Sequence, residues 1–201
     1  PLALINTPEP AWSEGARGCA AIPGRSVAFR ERFAQALSYA RTGDGTCIHV
    51  MAGVTDAPEA FDTFVENLRF ACATAPERRI TIEPLNPADM PGYWLSDFDR
   101  AASVIDVVDA PNLFLQFDAW HAQRIAGDAL AVWEAHRDRV GHVQIAGLAA
   151  RGAPDPNSAD EAALLAALGR AGEAWIAAEY IGQSGDDAAW LDPVRAGLAR
   201  G

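Results

Sequence analysis

The chain has 201 residues, half of them hydrophobic, and a formal net charge of −11, which suits one globular domain with a sizeable core. The negative balance argues against a nucleic-acid or anionic-membrane partner, and no apolar run reaches the roughly 18 residues of a transmembrane helix. Cys19, Cys47 and Cys72 are odd in number and lack metal-type spacing, so they read as reduced thiols of a cytoplasmic protein; the opening Leu2-Ala3-Leu4-Ile5 has neither the basic segment nor the cleavage site of a signal peptide.

Short apolar runs alternate with helical patterns along the chain. Leu2–Asn6 reads as a strand, and a Pro/Gly-rich loop follows it. Ser26 is placed to cap a helix over Val27–Arg41. Thr46–Ala52 is a second strand, and Pro58–Ala75 a helix with Phe61, Phe64, Leu68 and Ala71 on one stripe. Ile80–Glu83 is a third strand, stopped by Pro84, which has no amide hydrogen to give a ladder. Ser96 or Asp97 caps a helix through Val108, with Phe98, Ala101, Ala102 and Ile105 at helical spacing. Asn112–Asp118 is the fourth strand. Trp120–Arg139 is helical in two pieces broken at Gly127, and Val140–Ala146 is the fifth strand. A Gly/Pro-rich loop, Gly147–Ser158, leads to a helix over Asp160–Gly169. Trp175–Tyr180 is the sixth strand, and the last helix ends near Ala199.

Six strand–helix units at roughly 30-residue spacing imply parallel strands with helical crossovers. Two architectures answer that description, an open doubly wound sheet and a closed barrel. Strands covered by helices on both faces should be apolar throughout. Here Leu113, Leu115 and Phe117 oppose Asn112, Phe114, Gln116 and Asp118, and Val143 and Ile145 oppose His142 and Gln144. Ile80 and Ile82 likewise oppose Thr81 and Glu83, and Ile176 and Ala178 oppose Ala177 and Glu179. One face takes polar residues on strand after strand, which favours an α/β barrel with the mixed face toward its axis. No Gly-x-Gly-x-x-Gly follows any strand, so a dinucleotide fold has no support. A (β/α)8 barrel takes eight such units in about 250 residues. The expectation is a single, partial barrel domain over residues 1–201 that lacks the first two units, in keeping with a start at Pro1 rather than a methionine.

Glu83, Asp118, Gln144 and Glu179 all fall at or near the carboxyl end of a predicted strand, on its polar face. In a barrel those positions converge on one mouth, where active sites of such folds lie. Three carboxylates in a partly dry mouth repel one another and need a compensating cation. Three carboxylates and an amide oxygen form a hard, all-oxygen ligand set, which suits Mg²⁺ or Mn²⁺ better than Zn²⁺.

The same residues carry a family resemblance. Ile82-Glu83-Pro84-Leu85-Asn86 with Asp89-Met90-Pro91-Gly92-Tyr93, and the stretch Asn112 to Gln123 with Gly127-Asp128 after it, resemble the hydroxypyruvate isomerase family of xylose-isomerase-like barrels. Gly141-His142-Val143-Gln144-Ile145-Ala146 and Ala178-Glu179-Tyr180 match its last two motifs, and the likeness runs from Asn6-Thr7-Pro8 to about Tyr180. The resemblance implies a metal-assisted isomerase of a small hydroxy-oxo sugar acid, of the hydroxypyruvate/tartronate semialdehyde or 2-oxo-tetronate type. It implies Glu83, Asp118, Gln144 and Glu179 as metal ligands, Glu83 and Glu179 also as the proton-transfer pair through an enediolate, and His121, Arg151 and Asp89 on the substrate side. The partner it implies is a small-molecule sugar acid; homo-oligomerisation stays open.

Two departures bear on substrate identity. Gly147 stands where the family often has an acidic or hydroxyl residue. The next loop keeps Arg151 and Pro154 but has Ala153 in place of a glutamate and Asn157-Ser158-Ala159-Asp160 in place of a Gly-Glu stretch. Other residues have plainer readings. His49 and His142 lie on the polar strand faces as interior histidines, and His136 sits among charges as a solvated helix residue. Tyr93, Trp94 and Trp120 read as packing aromatics that could also wall a substrate, and Arg151 as either a fork for a substrate carboxylate or a solvated loop residue. An epimerase on the same scaffold needs the same groups, and a barrel acting only as a binding module is the non-catalytic alternative.

Overall fold

The computed structural model describes residues 2–41, 43, 46–172, 176–182 and 188–200. The chain divides into two compact units, Pro1–Gln116 with Arg139–Gly141, and Phe117–Asp138 with His142–Gly201.

The first unit is built on parallel strands in chain order: β1 (Leu4–Asn6), β2 (Cys47–His49), β3 (Ile80–Ile82) and the first four residues of β4 (Leu113–Asp118). Ile5 pairs with Ile48, Ile48 with Ile80, and Ile80 and Ile82 with Leu113 and Leu115, each register parallel. Parallel neighbours need crossovers, and three helices supply them: α1 (Ser26–Ala40), α2 (Ala60–Thr74) and α3 (Phe98–Val108). Helix α1 buries Phe29, Phe33, Ala36, Leu37 and Ala40, one stripe at helical period, and Phe33 meets Phe70 of α2 edge-on with ring centroids 6.4 Å apart.

Several sequence expectations shift here for identifiable reasons. The second strand ends at His49 rather than Ala52, because residues 51 and 52 are taken up by a different partner. Ala20 and Ala21 donate backbone hydrogen bonds to Met51 and Ala52, and Gly18 bridges Ala52 antiparallel. Ser26 is the first residue of α1 and not its cap; a turn in which Arg25 N–H donates to Ile22 O leads into the helix. Asp97, not Ser96, caps α3, its Oδ1 accepting from Arg100 N at 2.6 Å. The buried stripe of α3 is Phe98, Ala101, Val104 and Val108, which leaves Ala102 and Ile105 half-buried at its flank.

The second unit begins with the end of β4 and continues through α4 (Ala119–Ala126), α5 (Ala129–His136), β5 (Val140–Ile145), α6 (Ala159–Ala171), β6 (Ile176–Ala178) and α7 (Leu191–Leu198). Helices α4 and α5 part at Gly127, where φ is +79°, a left-handed conformation that favours glycine. Ala129, Val132, Trp133 and His136 form the inward stripe of α5. His136 is therefore buried, not solvated as its charged neighbours imply. Strands β5 and β6 pair parallel, Val143 with Ile176 and Ile145 with Ala178; Trp175, at the expected start of the sixth strand, lies outside the described residues. No helix among the described residues is long and apolar enough to cross a membrane.

Most polar side chains at the ends of β3, β4 and β5 are buried. Thr81, Glu83 and Gln116 are buried in the first unit, and Asp118, His142 and Gln144 in the second. Packing is close in the first unit: a Cβ added at Gly141 would come within 2.5 Å of Phe114 Cβ. Gly141→Ala is therefore expected to destabilise the protein by about 1–3 kcal/mol, the usual penalty of overpacking, as read by urea denaturation; a variant as stable as the parent would show that this layer has room to give.

Candidate functional site

Strand ends put the chemistry in place. Glu83 follows β3 directly, and Pro84 then turns the chain out of the ladder, with Leu85 N–H donating to Leu95 O across the loop. The Glu83 side chain is buried and met by polar groups from neighbouring strands. Gln116 Nε2 donates to its Oε2 at 2.8 Å, and Thr81 Oγ1 lies 3.0 Å from Gln116 Oε1. His49 Nε2 stands 3.7 Å from the same Glu83 oxygen, and His49 Nδ1 is 3.0 Å from Asn6 Oδ1. Tyr93 is buried, and its hydroxyl oxygen accepts from Ala52 N at 2.9 Å. Burial pushes that phenol well above its ordinary range, and the Glu83 charge adds to the shift against the Ala52 bond. His49 thus does more than fill the interior: it faces the carboxylate.

Asp89 sits farther along the Glu83 loop and is exposed. Its N–H donates to Asn86 Oδ1 at 3.0 Å, and its Oδ2 accepts from Asn86 Nδ2 at 2.9 Å. This closed Asx-type exchange ties Asp89 to its own loop.

In the second unit, Asp118 is both the last residue of β4 and the N-cap of α4. Its Oδ1 accepts from Trp120 N at 2.7 Å and His121 N at 3.3 Å, which also exposes the carboxylate to the positive end of the helix. Arg151 Nη2 lies 3.6 Å from Asp118 Oδ2 and 3.0 Å from Glu179 Oε1, so one guanidinium faces two acids. Gln144 Nε2 donates to Glu179 Oε2. Glu179 follows β6, its backbone N–H continuing the ladder to Ile145 O, and its side chain is half exposed. Asp118, Gln144 and Glu179, expected at strand ends, therefore come together with Arg151 of the loop after β5. His121 is buried in the first turn of α4, its backbone bound to Asp118.

Burial raises the Asp118 carboxyl to about 7, the Glu179 charge adds to the rise, and Arg151 and the two amide bonds oppose it. A buried acid is held here with less positive charge than its loss of water calls for. The donor set fits a divalent cation: carboxylate oxygens from Asp118 and Glu179 are hard ligands, and a half-turn of the Gln144 amide exchanges its nitrogen for its oxygen.

The loop that carries Arg151 is pinned from two sides. Ile181 N–H donates to Arg151 O at 2.8 Å, and Gly147 N–H to Gly152 O. Glu161, in the first turn of α6, accepts from Leu148 N at 2.9 Å and Asp155 N at 2.6 Å. The sequence reading missed Glu161 and left Gln116 without a role. Gln116 had a signal, since it lies two residues before Asp118 on the same strand face; the fold-back of the loop onto Glu161 had none. Tyr93 and Trp94 take the packing reading, Trp94 lying edge-on to Phe64 with centroids 5.4 Å apart.

Comparison with known proteins places the chain among relatives. The family model described as xylose isomerase-like TIM barrel matches residues 4–199. The 2-oxo-tetronate isomerase of Cupriavidus necator is 38% identical over 200 residues, which cover 95% of this chain and 77% of that one. The hydroxypyruvate isomerase of Escherichia coli is 35% identical over 201 residues, covering 96% and 78%. Among solved structures, an AP endonuclease, family 2, from Brucella melitensis superposes with a TM-score of 0.87 at 35% identity, over 95% of this chain and 77% of that one. A 3-keto-D-glucoside 4-epimerase from Escherichia coli, at 19% identity and a TM-score of 0.73 over 98% and 78%, shares the fold.

The raised Asp118 carboxyl sets a pH test for protein stripped of metal. A carboxyl whose folded pKa stands above its unfolded one contributes stability below about pH 4, and that contribution is lost as pH rises through about 7. Asp118→Asn removes the charge, so its stability relative to the parent should improve by more than ~1 kcal/mol between those limits. Urea denaturation across the range measures it, and a pH-independent difference would contradict the assignment.

Proposed function

The chain belongs to the xylose isomerase-like TIM barrel family and, within it, to the hydroxypyruvate isomerase-like isomerases, and on that premise we propose that it interconverts a small 2-oxo-3-hydroxy acid and its 3-oxo-2-hydroxy partner at a divalent-cation site. The observation that carries the reading is the buried Asp118 acid beside Glu179, Gln144 and Arg151. Glu83 is proposed as the fourth ligand. That assignment follows the family motif Ile82-Glu83-Pro84-Leu85-Asn86, which sets Glu83 at the carboxyl end of β3. The substrate class follows the names of the relatives, hydroxypyruvate and 2-oxo-tetronate. The free thiols Cys19, Cys47 and Cys72, all buried, accord with a reducing compartment, and we place the enzyme in the cytoplasm.

The reaction lifts a proton from the carbon that bears the hydroxyl and returns one to the neighbouring carbonyl carbon, while the two oxygens exchange a proton. A bound Mg²⁺ or Mn²⁺ supplies Lewis-acid stabilisation of the negative charge that develops on those oxygens. Glu83 and Glu179 are the proposed proton carriers, one as base and the other as acid, with roles exchanged in the reverse direction. Glu83 is dry and held by donors, whereas Glu179 is half exposed, so the two proposed carriers have unlike environments. Arg151 is proposed to fork a substrate carboxylate, with His121 and Asp89 as further substrate contacts.

Product identification over a short panel of hydroxy-oxo acids tests the reaction, and variants test the residues. Glu83→Gln and Glu179→Gln are each expected to lower turnover about 10²-fold or more at saturating metal, the scale of a lost general acid or base. Near-normal turnover in either variant would remove that residue from the mechanism, and an epimer as the sole product would replace isomerisation by epimerisation.

A further inference from the structure

Gln116 does more than neighbour Glu83. We infer that it is a positioning residue that sets the orientation of the Glu83 carboxylate and is itself set by Thr81; the inference rests on the proton-transfer role proposed for Glu83. The parallel register places Thr81 beside Phe114 and Ile82 beside Leu115, so Thr81, Glu83 and Gln116 project from one strand face. All three are buried, so bulk water does not compete for their bonds.

The chemistry of the groups gives the contact a direction. A carboxylate only accepts, so the amide edge facing Glu83 must be its NH₂, and the 2.8 Å bond runs from Gln116 Nε2 to Glu83 Oε2. The amide is planar, so its oxygen then points the other way. The Thr81 hydroxyl, 3.0 Å from that oxygen, can donate to it. The result is an oriented chain: Thr81 hydroxyl to Gln116 oxygen, Gln116 nitrogen to Glu83 carboxylate. An amide turned over would set two oxygens against each other at Glu83. His49 Nε2, 3.7 Å from the same oxygen, is too distant to replace the bond. Holding Oε2 limits the rotation of the carboxylate plane and thereby helps to aim Oε1. A base that swings out of that plane loses reach to its proton without loosening the substrate.

The test uses the full-length protein with Gln116→Met, which keeps length but has no donor, Thr81→Val, which keeps shape but loses the hydroxyl, and Thr81→Ser, which keeps the hydroxyl. Gln116→Met and Thr81→Val should lower kcat about tenfold or more, the scale of a hydrogen bond to a charged group, with KM within about twofold, and Thr81→Ser should stay near the parent. The carboxyl ¹³C resonance of Glu83 should move in the first two variants and not in the third. That spectroscopic readout is independent of turnover. A parent protein without isomerase activity would sink the functional reading alone, while an unmoved Glu83 resonance in Gln116→Met would sink the positioning role alone. Should Gln116→Met fail to fold, the valine–serine pair at Thr81 decides: equal kcat and equal resonances in the two would overturn the inference.

Discussion

A carboxylate taken out of water must be met by donors or positive charge, or it gives up its own charge. The polar face of this protein is organised by that constraint. Glu83 answers it with neutral donors, the Gln116 amide above all, in a setting completed by His49 and Thr81. Asp118 answers it with two backbone amides at a helix N-terminus and with Arg151, and still its carboxyl is pushed up. The two acids are therefore held differently, Glu83 by neutral side-chain donors and Asp118 by backbone amides and a guanidinium that do not fully offset its burial. Dipoles orient a base; a charge deficit draws a cation.

Much of this was legible in the sequence. Period-two alternation in Asn112–Asp118 and Val140–Ala146 located the polar face, and proline after Glu83 marked a strand end. The fold class followed from spacing and order, because parallel strands with helical crossovers leave few other arrangements, while the family was carried by the resemblance of its motifs. Strand-end acids could be named before any coordinates, since the fold fixes which end of a strand carries chemistry.

What stayed hidden depended on contacts distant in sequence. Nothing in Thr46–Ala52 showed that residues 18–21 would take over its last residues and end the strand at His49. His136 looked solvated because its neighbours are charged, yet it falls on the inward stripe of α5 with Ala129, Val132 and Trp133. Arg151 could be read as substrate-binding or solvated; its reach to both Asp118 and Glu179 rests on a loop pinned by Glu161 and by Ile181, a closure no local pattern announces. Gln116 was visible as a polar strand residue, but its use came only with the register of β3 against β4.

The reaction proposed here depends on a divalent cation held by Asp118, Glu179 and Gln144. Calorimetric titration of purified, chelator-stripped protein with Mn²⁺ tests it most directly. Saturable binding of one ion per chain is expected, with proton release that grows as pH falls below about 7, because the buried Asp118 carboxyl must ionise to serve as a ligand. Binding that never saturates, or that proceeds unchanged in Asp118→Asn, would contradict it.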